Sequence, residues 1–309
     1  MIEEAFLISL LTAGVRMATP ILFTALGEIF AERSGVMNLG LEGIMLMGAL
    51  GTFAGIYHTG NIWLGILIGT IIAGFMSVPL AFMSVTLGIN QVVIGLTITL
   101  LGTGLSSFLC RTIFGVFGAP PPIEGLEIIE IPVLSQVPII GPILFRHNIL
   151  VYLALILIPI CGLILFKTTL GLKVRAVGEN PQAADTLGIN VHHIRYLCVI
   201  FGGLMSGLGG AYLTLDVKVF QDMMTGGRGW IALALVIFGD WNPYKTLIGA
   251  LIFGCAIALQ FKFQAVAGII SAQIWTMLPY ALTVVAFVGL GRKASTPAAL
   301  GVPYKRGGE

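Results

Sequence analysis

Charge is what this sequence has least of. Only 10% of its 309 residues are Asp, Glu, Lys or Arg, against about a quarter in an ordinary soluble domain, which excludes a water-soluble globule. The net charge is +2, with lysines and arginines scattered through short segments. No nucleic-acid surface is expected from such a pattern. Cysteine is scarce as well: Cys110, Cys161, Cys198 and Cys255 lie far apart in or beside apolar runs, with no CxxC pair and no histidine cluster. They read as small hydrophobes, and no metal site is expected. No GxxxxGKS/T phosphate loop occurs anywhere in the chain, and the apolar runs carry no Ser/His, paired-Asp or HExxH arrangement. We therefore expect no catalytic residue, no cofactor and no ATP hydrolysis on this chain.

What is present is apolar length. Hydrophobic residues make up 57% of the chain, and runs of roughly 20 recur, each long enough to cross about 30 Å of hydrocarbon as a helix. Spans are expected near 5–27, 37–57, 62–87, 91–114, 147–167, 195–215, 229–240, 245–262 and 271–290. The predicted fold is an all-α polytopic membrane protein, a single domain over 1–309, with about nine transmembrane helices (between eight and ten). The run at 229–240 is too short to cross alone and is expected to be broken. The first span follows acidic residues, MIEEAFL, where a secretory signal would be basic, so it is expected to be retained.

Orientation follows from the basic residues. With the 168–194 loop in the cytoplasm, Arg33, Lys167, Lys173, Arg175, Arg195, Lys245, Arg292, Lys293, Lys305 and Arg306 fall on that side, against Arg111, Arg146, Lys218, Arg228 and Lys262 opposite. This places the N-terminus outside and the C-terminus in the cytoplasm. The loop at about 115–146 is then external; it is proline-rich and carries Glu124, Glu127 and Glu130. Those carboxylates could form a rim for a soluble partner, or the loop could merely cover helix ends.

The loop at about 168–194, KTTLGLKVRAVGENPQAADTLGINVHHIRY with its flanks, is more specific. Asn180 suits an N-cap, Pro181 the first helical position, and Gly188 the stop, predicting a helix of about seven residues at the cytoplasmic face. A tight turn would need far fewer residues, so a protruding helix reads as a docking element.

Three stretches in order, ERSGVMNLGLEGIMLMGA, AVGENPQAADTLGINVHHIRYLCVIFGGLMSGLGGAYL and GGRGWIALALVIFGDWNPYKTLIGALIFG, together with NQVVIGL at 90–96, carry a family resemblance. The chain resembles the permease subunits of ABC importers in the group that carries simple sugars, nucleosides and branched-chain amino acids, and is most similar to the nucleoside-type branch. The resemblance implies a non-enzymatic subunit of a bacterial-type plasma (inner) membrane importer. Its partners would be two ATPase subunits, a second, related permease and an external substrate-binding protein or lipoprotein. It also implies that the short cytoplasmic helix is a coupling helix inserted into a cleft of the ATPase, with Gly178, Glu179, Asn180, Pro181, Ala183, Ala184, Gly188 and Ile189 as contact residues.

Polar residues within the spans are candidates for the substrate path. Glu42, about six residues into its expected span and beyond Asn38 as its expected cap, either steadies a helix end or lines the path. Glu32 and Arg33 are expected in water. Asn90, Gln91 and Thr97 on the fourth span could meet a ribose or a base, or simply cap and pack. Trp230 could stack on a base or anchor at the interface. Gly239 to Pro243, GDWNP, is expected to be a turn. Glycines recur as Gly203, Gly207, Ala211 and as Gly202, Ser206, Gly210, two faces for close helix contact. A faint similarity between SGVMNLGLEGIMLMGAL and GRGWIALALVIFGDWNPY hints at an internal repeat. The competing class is an ion-coupled secondary transporter, which would want several ionisable groups at mid-membrane and leaves the docking-type loop unexplained.

Overall fold

A computed structural model describes residues 2–115, 121–266, 272–290 and 296–306. The expected spans appear as α1 (Ile2–Arg33), α2 (Leu41–Thr59), α3 (Ile62–Ala81, prolonged by one π-turn, Phe82–Thr86), α4 (Gln91–Phe114), α6 (Ile149–Lys167), α9 (Val191–Val217), α10 (Arg228–Phe238), α11 (Pro243–Val266) and the pair α12 (Ala272–Thr276) and α13 (Leu278–Leu290). Among the described residues, six helices are long and apolar enough to cross a membrane, and Arg228–Phe238 and Ile274–Val285 are shorter apolar helices. The all-α expectation needs one correction. The long loop holds a two-stranded antiparallel sheet, β1 (Ile128–Glu130) on β2 (Arg146–Asn148), with a short helix α5 (Ile140–Leu144) between them. Strand pairing there satisfies backbone groups that a bare extended cap would leave open. Arg292 and Lys293 lie outside the described residues.

The helix ends sort into two faces. On one, Arg33 donates to the carbonyls of Asp240 and Trp241, Arg195 to those of Ser34 and Val302, and the Ala299 N–H to Gly178 O. This face carries α7 (Thr169–Glu179) and α8 (Pro181–Thr186). On the other, Arg16 pairs with Asp216, Arg111 with Asp222, and the Ile123 N–H reaches Lys218 O. The C-terminal segment therefore shares a face with α8.

Two chain segments do not stop at these faces. After α1 ends at Arg33, the Asn38 N–H donates to Glu28 Oε1 at 2.8 Å, five residues back along α1, roughly 7 Å at about 1.5 Å per residue. The chain has folded back into the bundle, and α2 starts inside it. Residues 218–227 do the same from the opposite face, so that α10 also starts inside and has only 11 residues, roughly 16 Å or about half the hydrocarbon thickness.

The packing partners obey an exchange. α1 packs on α9, and α2 meets α10; α1 on α11 is matched by α9 on α3; α1 on α10 by α9 on α2; α2 on α3 by α10 on α11; α2 on α4 by α10 on α13. Since α2 and α10 run toward opposite faces, this exchange of partners is the pattern of an inverted repeat of two four-helix units. The two faintly similar sequence segments fall at the starts of α2 and α10.

Close approach is the means of packing. On α9, Gly203 and Gly207 lie against Ala73 and Thr70 of α3, while Gly202 faces Gly27 of α1 and Gly210 faces Met45 and Ala49 of α2. A Cβ at Gly210 would fall 2.1 Å from Met45 O, whereas one at Gly104 on α4 meets nothing within 4 Å. Replacing Gly210 with Ala should cost about 2 kcal/mol or more, and Gly104→Ala should be neutral or better. Thermal unfolding of the two purified variants in detergent checks this; equal midpoints would overturn the packing argument.

Candidate functional site

The N-cap of α10 is Gly227, which has φ +80° and no side chain to cap the helix. The first N–H groups of a helix lack internal partners, and inside a membrane each unsatisfied one is expensive. Glu42 supplies what is missing. Its Oε1 accepts the Gly227 N–H at 2.8 Å and its Oε2 the Gly229 N–H at 2.7 Å. The carboxylate is 8% exposed and sits in the first turn of α2. Two helix N-termini, each the positive end of a peptide dipole, thus converge on one anion. Gly229 must be glycine for this contact, since a Cβ there would lie 2.6 Å from the Glu42 nitrogen.

Three expectations are corrected here. α2 starts at Leu41 with Gly40 as its N-cap, so Glu42 is its second residue and not its sixth. Asn38 does not cap it: its Oδ1 accepts the Gly40 N–H at 2.9 Å, shaping the approach to the helix while the backbone enters the bundle. Glu32 is not in water. It is fully buried and accepts the Trp241 indole N–H at 2.5 Å, one helical turn after Glu28. Trp241 is itself fully buried in the 239–242 turn, whose Asp240 and Trp241 have φ of +53° and +51°. The turn folds its indole inward to reach Glu32.

α4 braces the re-entrant stretch. Gln91, 3% exposed, accepts the Met37 N–H through Oε1 at 2.8 Å, and Thr99 Oγ1 donates to Leu39 O at 2.9 Å. Asn90 caps α4, accepting from Val92 and Val93. Thr97 is exposed and bonds back to Val93 O. Of the candidate polar residues, Glu42, Asn38 and Gln91 therefore belong to one interior constellation, while Asn90 and Thr97 stand apart from it. Trp230 is half-buried at the start of α10. Glu28, Gly227 and Gly229 are interior members that the sequence did not single out, and Trp241 was expected only as part of the 239–243 turn; GGRG beside a short apolar run was the available signal for the two glycines.

The α8 face holds the second constellation. Asn180 caps α8, its Oδ1 accepting the Ala183 N–H at 2.9 Å, with Pro181 at the first helical position and Gly188 at φ +81° beyond the end. The eight expected contact residues divide by exposure. Glu179, Asn180, Ala183 and Gly188 are exposed and Ile189 half-exposed, but Gly178, Pro181 and Ala184 are buried within the chain. Gly178 lies against Arg33, where a Cβ would fall on its carbonyl oxygen, and Ala184 is 2% exposed. These three hold α8 in place, and the outward surface is extended by Leu187, 81% exposed.

Residues 10–287 match the family model described as branched-chain amino acid transport system / permease component. The chain belongs to that family. A protein of Haloferax volcanii, provisionally named as the glucose ABC transporter permease TsgC13, is 40% identical over 268 residues, covering 85% of this chain and 80% of the relative. The nucleoside ABC transporter permease NupC of Lactococcus lactis is 37% identical, covering 93% of each chain. The guanosine ABC transporter permease NupQ of Bacillus subtilis is 36% identical, covering 94% of each. The ABC permease resemblance, and its nucleoside-type branch, thus have whole-length relatives behind them.

Replacing Glu42 with Gln removes one acceptor oxygen and turns an NH2 toward a backbone N–H. The buried bond lost should cost about 2–3 kcal/mol, read as a lowered unfolding midpoint and reduced membrane level. Full stability would show that the α10 N-terminus finds another partner.

Proposed function

We propose that this ABC importer permease forms one half of the membrane path for nucleosides, with ATP hydrolysed on separate subunits that dock on α8. The observation that carries the docking part is the capped helix whose buried side, Pro181 and Ala184, is anchored and whose other side, Gln182, Ala183, Thr186 and Leu187, faces outward. A rigid, anchored helix with a free outer face suits the transmission of a partner's movement. The nucleoside reading is supported by two whole-length relatives named for nucleoside or guanosine transport. A sugar is the second reading, favoured by the 40% identity to TsgC13.

In this reading the chain crosses the plasma membrane nine times, with α2, α10 and the α12–α13 pair counted as crossings. The N-terminus is external, and α8 with the C-terminal segment is cytoplasmic. Two ATPase subunits, a second related permease and an external binding protein or lipoprotein complete the importer. Uptake into vesicles that persisted without ATP and without a soluble partner would favour an ion-coupled transporter instead.

A pair of substitutions tests the division of α8. Ala183→Trp should leave the protein folded in the membrane, with its unfolding midpoint unchanged, yet reduce ATP-driven uptake at least about tenfold by obstructing the docking face. Ala184→Trp should destabilise the permease itself, because that side chain is buried and overpacking costs about 1–3 kcal/mol or more. Uptake by the Ala183→Trp variant at the original rate would remove the docking role.

A further inference from the structure

Beside the Glu42 clamp lies a cavity of about 250 Å³ between the start of α10, the outer half of α11 and the start of α13, lined among others by Gly226, Arg228, Gln260, Phe261 and Tyr280. Its chemistry is mixed in a particular way. Two aromatic rings, Phe261 and Tyr280, stand with one amide, Gln260, and one guanidinium, Arg228, and no carboxylate lines it. The cavity is fixed at its inner edge. Tyr280 donates its hydroxyl to Gly226 O at 3.2 Å, and Arg228 Nη1 donates to Met224 O and Thr225 O at 3.2 and 3.0 Å. The Arg228 Nε is buried and has no hydrogen-bond acceptor among the described residues, an expensive state for a cationic donor unless something brings an acceptor to it.

We propose that this cavity is a transient subsite for the base of a nucleoside on its way across the membrane. The volume is below the roughly 300–1,000 Å³ of pockets for drug-sized ligands, so it admits one flat ring system with a small substituent. Aromatic side chains stack on any nucleobase. Two of its polar groups, Arg228 and Gln260, match base edges: guanidinium pairs with adjacent acceptors such as the O6 and N7 of guanine, and an amide pairs with the donor and acceptor of adenine. A hexose lacks the flat face, and no carboxylate lines the cavity to accept from its hydroxyls. Glu42 lies just across Gly227 and Gly229 and its charge acts on Arg228, which favours a neutral nucleoside over a nucleotide. Trp230, the base-stacking candidate from the sequence, does not line the cavity; Phe261 and Tyr280 take that place.

The proposal rests on the nucleoside reading, and the two are separable in one experiment. The complete importer is reconstituted in proteoliposomes, and ATP-driven uptake of guanosine, uridine and glucose is measured for wild type, Phe261→Leu, Phe261→Tyr and Gln260→Leu. We expect wild type to import nucleosides. Phe261→Leu should raise the KM for guanosine about tenfold with ATPase activity retained, Phe261→Tyr should restore it, and Gln260→Leu should change the ratio of guanosine to uridine uptake. Labelling of the intact importer with a photoreactive azidoguanosine should mark the α11 or α13 peptides, which keeps the test valid if a variant is unstable. If wild type imports nucleosides while the KM values, the selectivity and the labelling pattern ignore this cavity, the subsite is overturned and the nucleoside reading stands. If wild type imports glucose alone, both fall.

Discussion

A carboxylate in the interior of a membrane bundle is costly unless its charge is met, and a helix that begins there leaves N–H groups with no water to bind. Glu42 sets these two costs against each other. Its oxygens take the Gly227 and Gly229 N–H groups, and it stands in the first turn of α2, so the positive ends of two helices share one negative charge. Much of the nearby sequence follows from that geometry. The start of α10 must be glycine-rich so that the backbone of α2 can touch it, and α2 must start within the bundle, which requires the chain after Arg33 to turn back. The turn back in turn requires acceptors for the re-entrant backbone, and Glu28, Gln91 and the Asn38 side chain provide them.

A second joint forms where the α8 face meets this core. Arg195 is fully buried and ties Ser34, at the head of the re-entrant stretch, to Val302 of the C-terminal segment. The same segment bonds to Gly178 through the Ala299 N–H and to Gly35 through the Gly301 N–H, and Arg306 pairs with Asp185 on α8. Gly178, just before α8, lies against Arg33, whose guanidinium holds the turn after α10. An unbroken set of short contacts therefore runs from α8 to the stretch before α2 and the turn after α10, and it consists of backbone bonds and close packing more than of exposed ion pairs. Such contacts transmit displacement because packed elements cannot deform continuously.

What the sequence made legible depended on how local each signal was. The α3 and α4 spans were placed to within a residue, since their caps, Asn61 and Asn90, lie next to long apolar runs. The Asn180–Pro181 start and the Gly188 stop of α8 were legible for the same reason. Asn38 misled because its side chain does bond locally, to Gly40, but the helix begins one residue later still, after the backbone has entered the bundle. Glu32 misled because a charged residue next to Arg33 looks solvated until a tryptophan 209 positions later brings its indole to it. Ala184 was assigned outward because a six-residue helix has too little periodicity to show which side is buried. Only the Glu32 error concerns a partner far away in sequence.

The cavity beside α10 has its origin in the place where the inverted repeat departs from symmetry. In the first unit, α4 closes on α2 through glycines: a Cβ at Gly102 would lie 2.5 Å from Gly43 O, and one at Gly95 would meet Leu39 at 2.7 Å. The equivalent helix of the second unit, α13, presents Pro279 and Tyr280 to α10 instead. Proline removes a backbone donor and tyrosine adds a ring, so the helices cannot approach as α2 and α4 do. The space left open is lined by the side chains that hold it open. One half of the repeat is thus built to seal and the other to leave room.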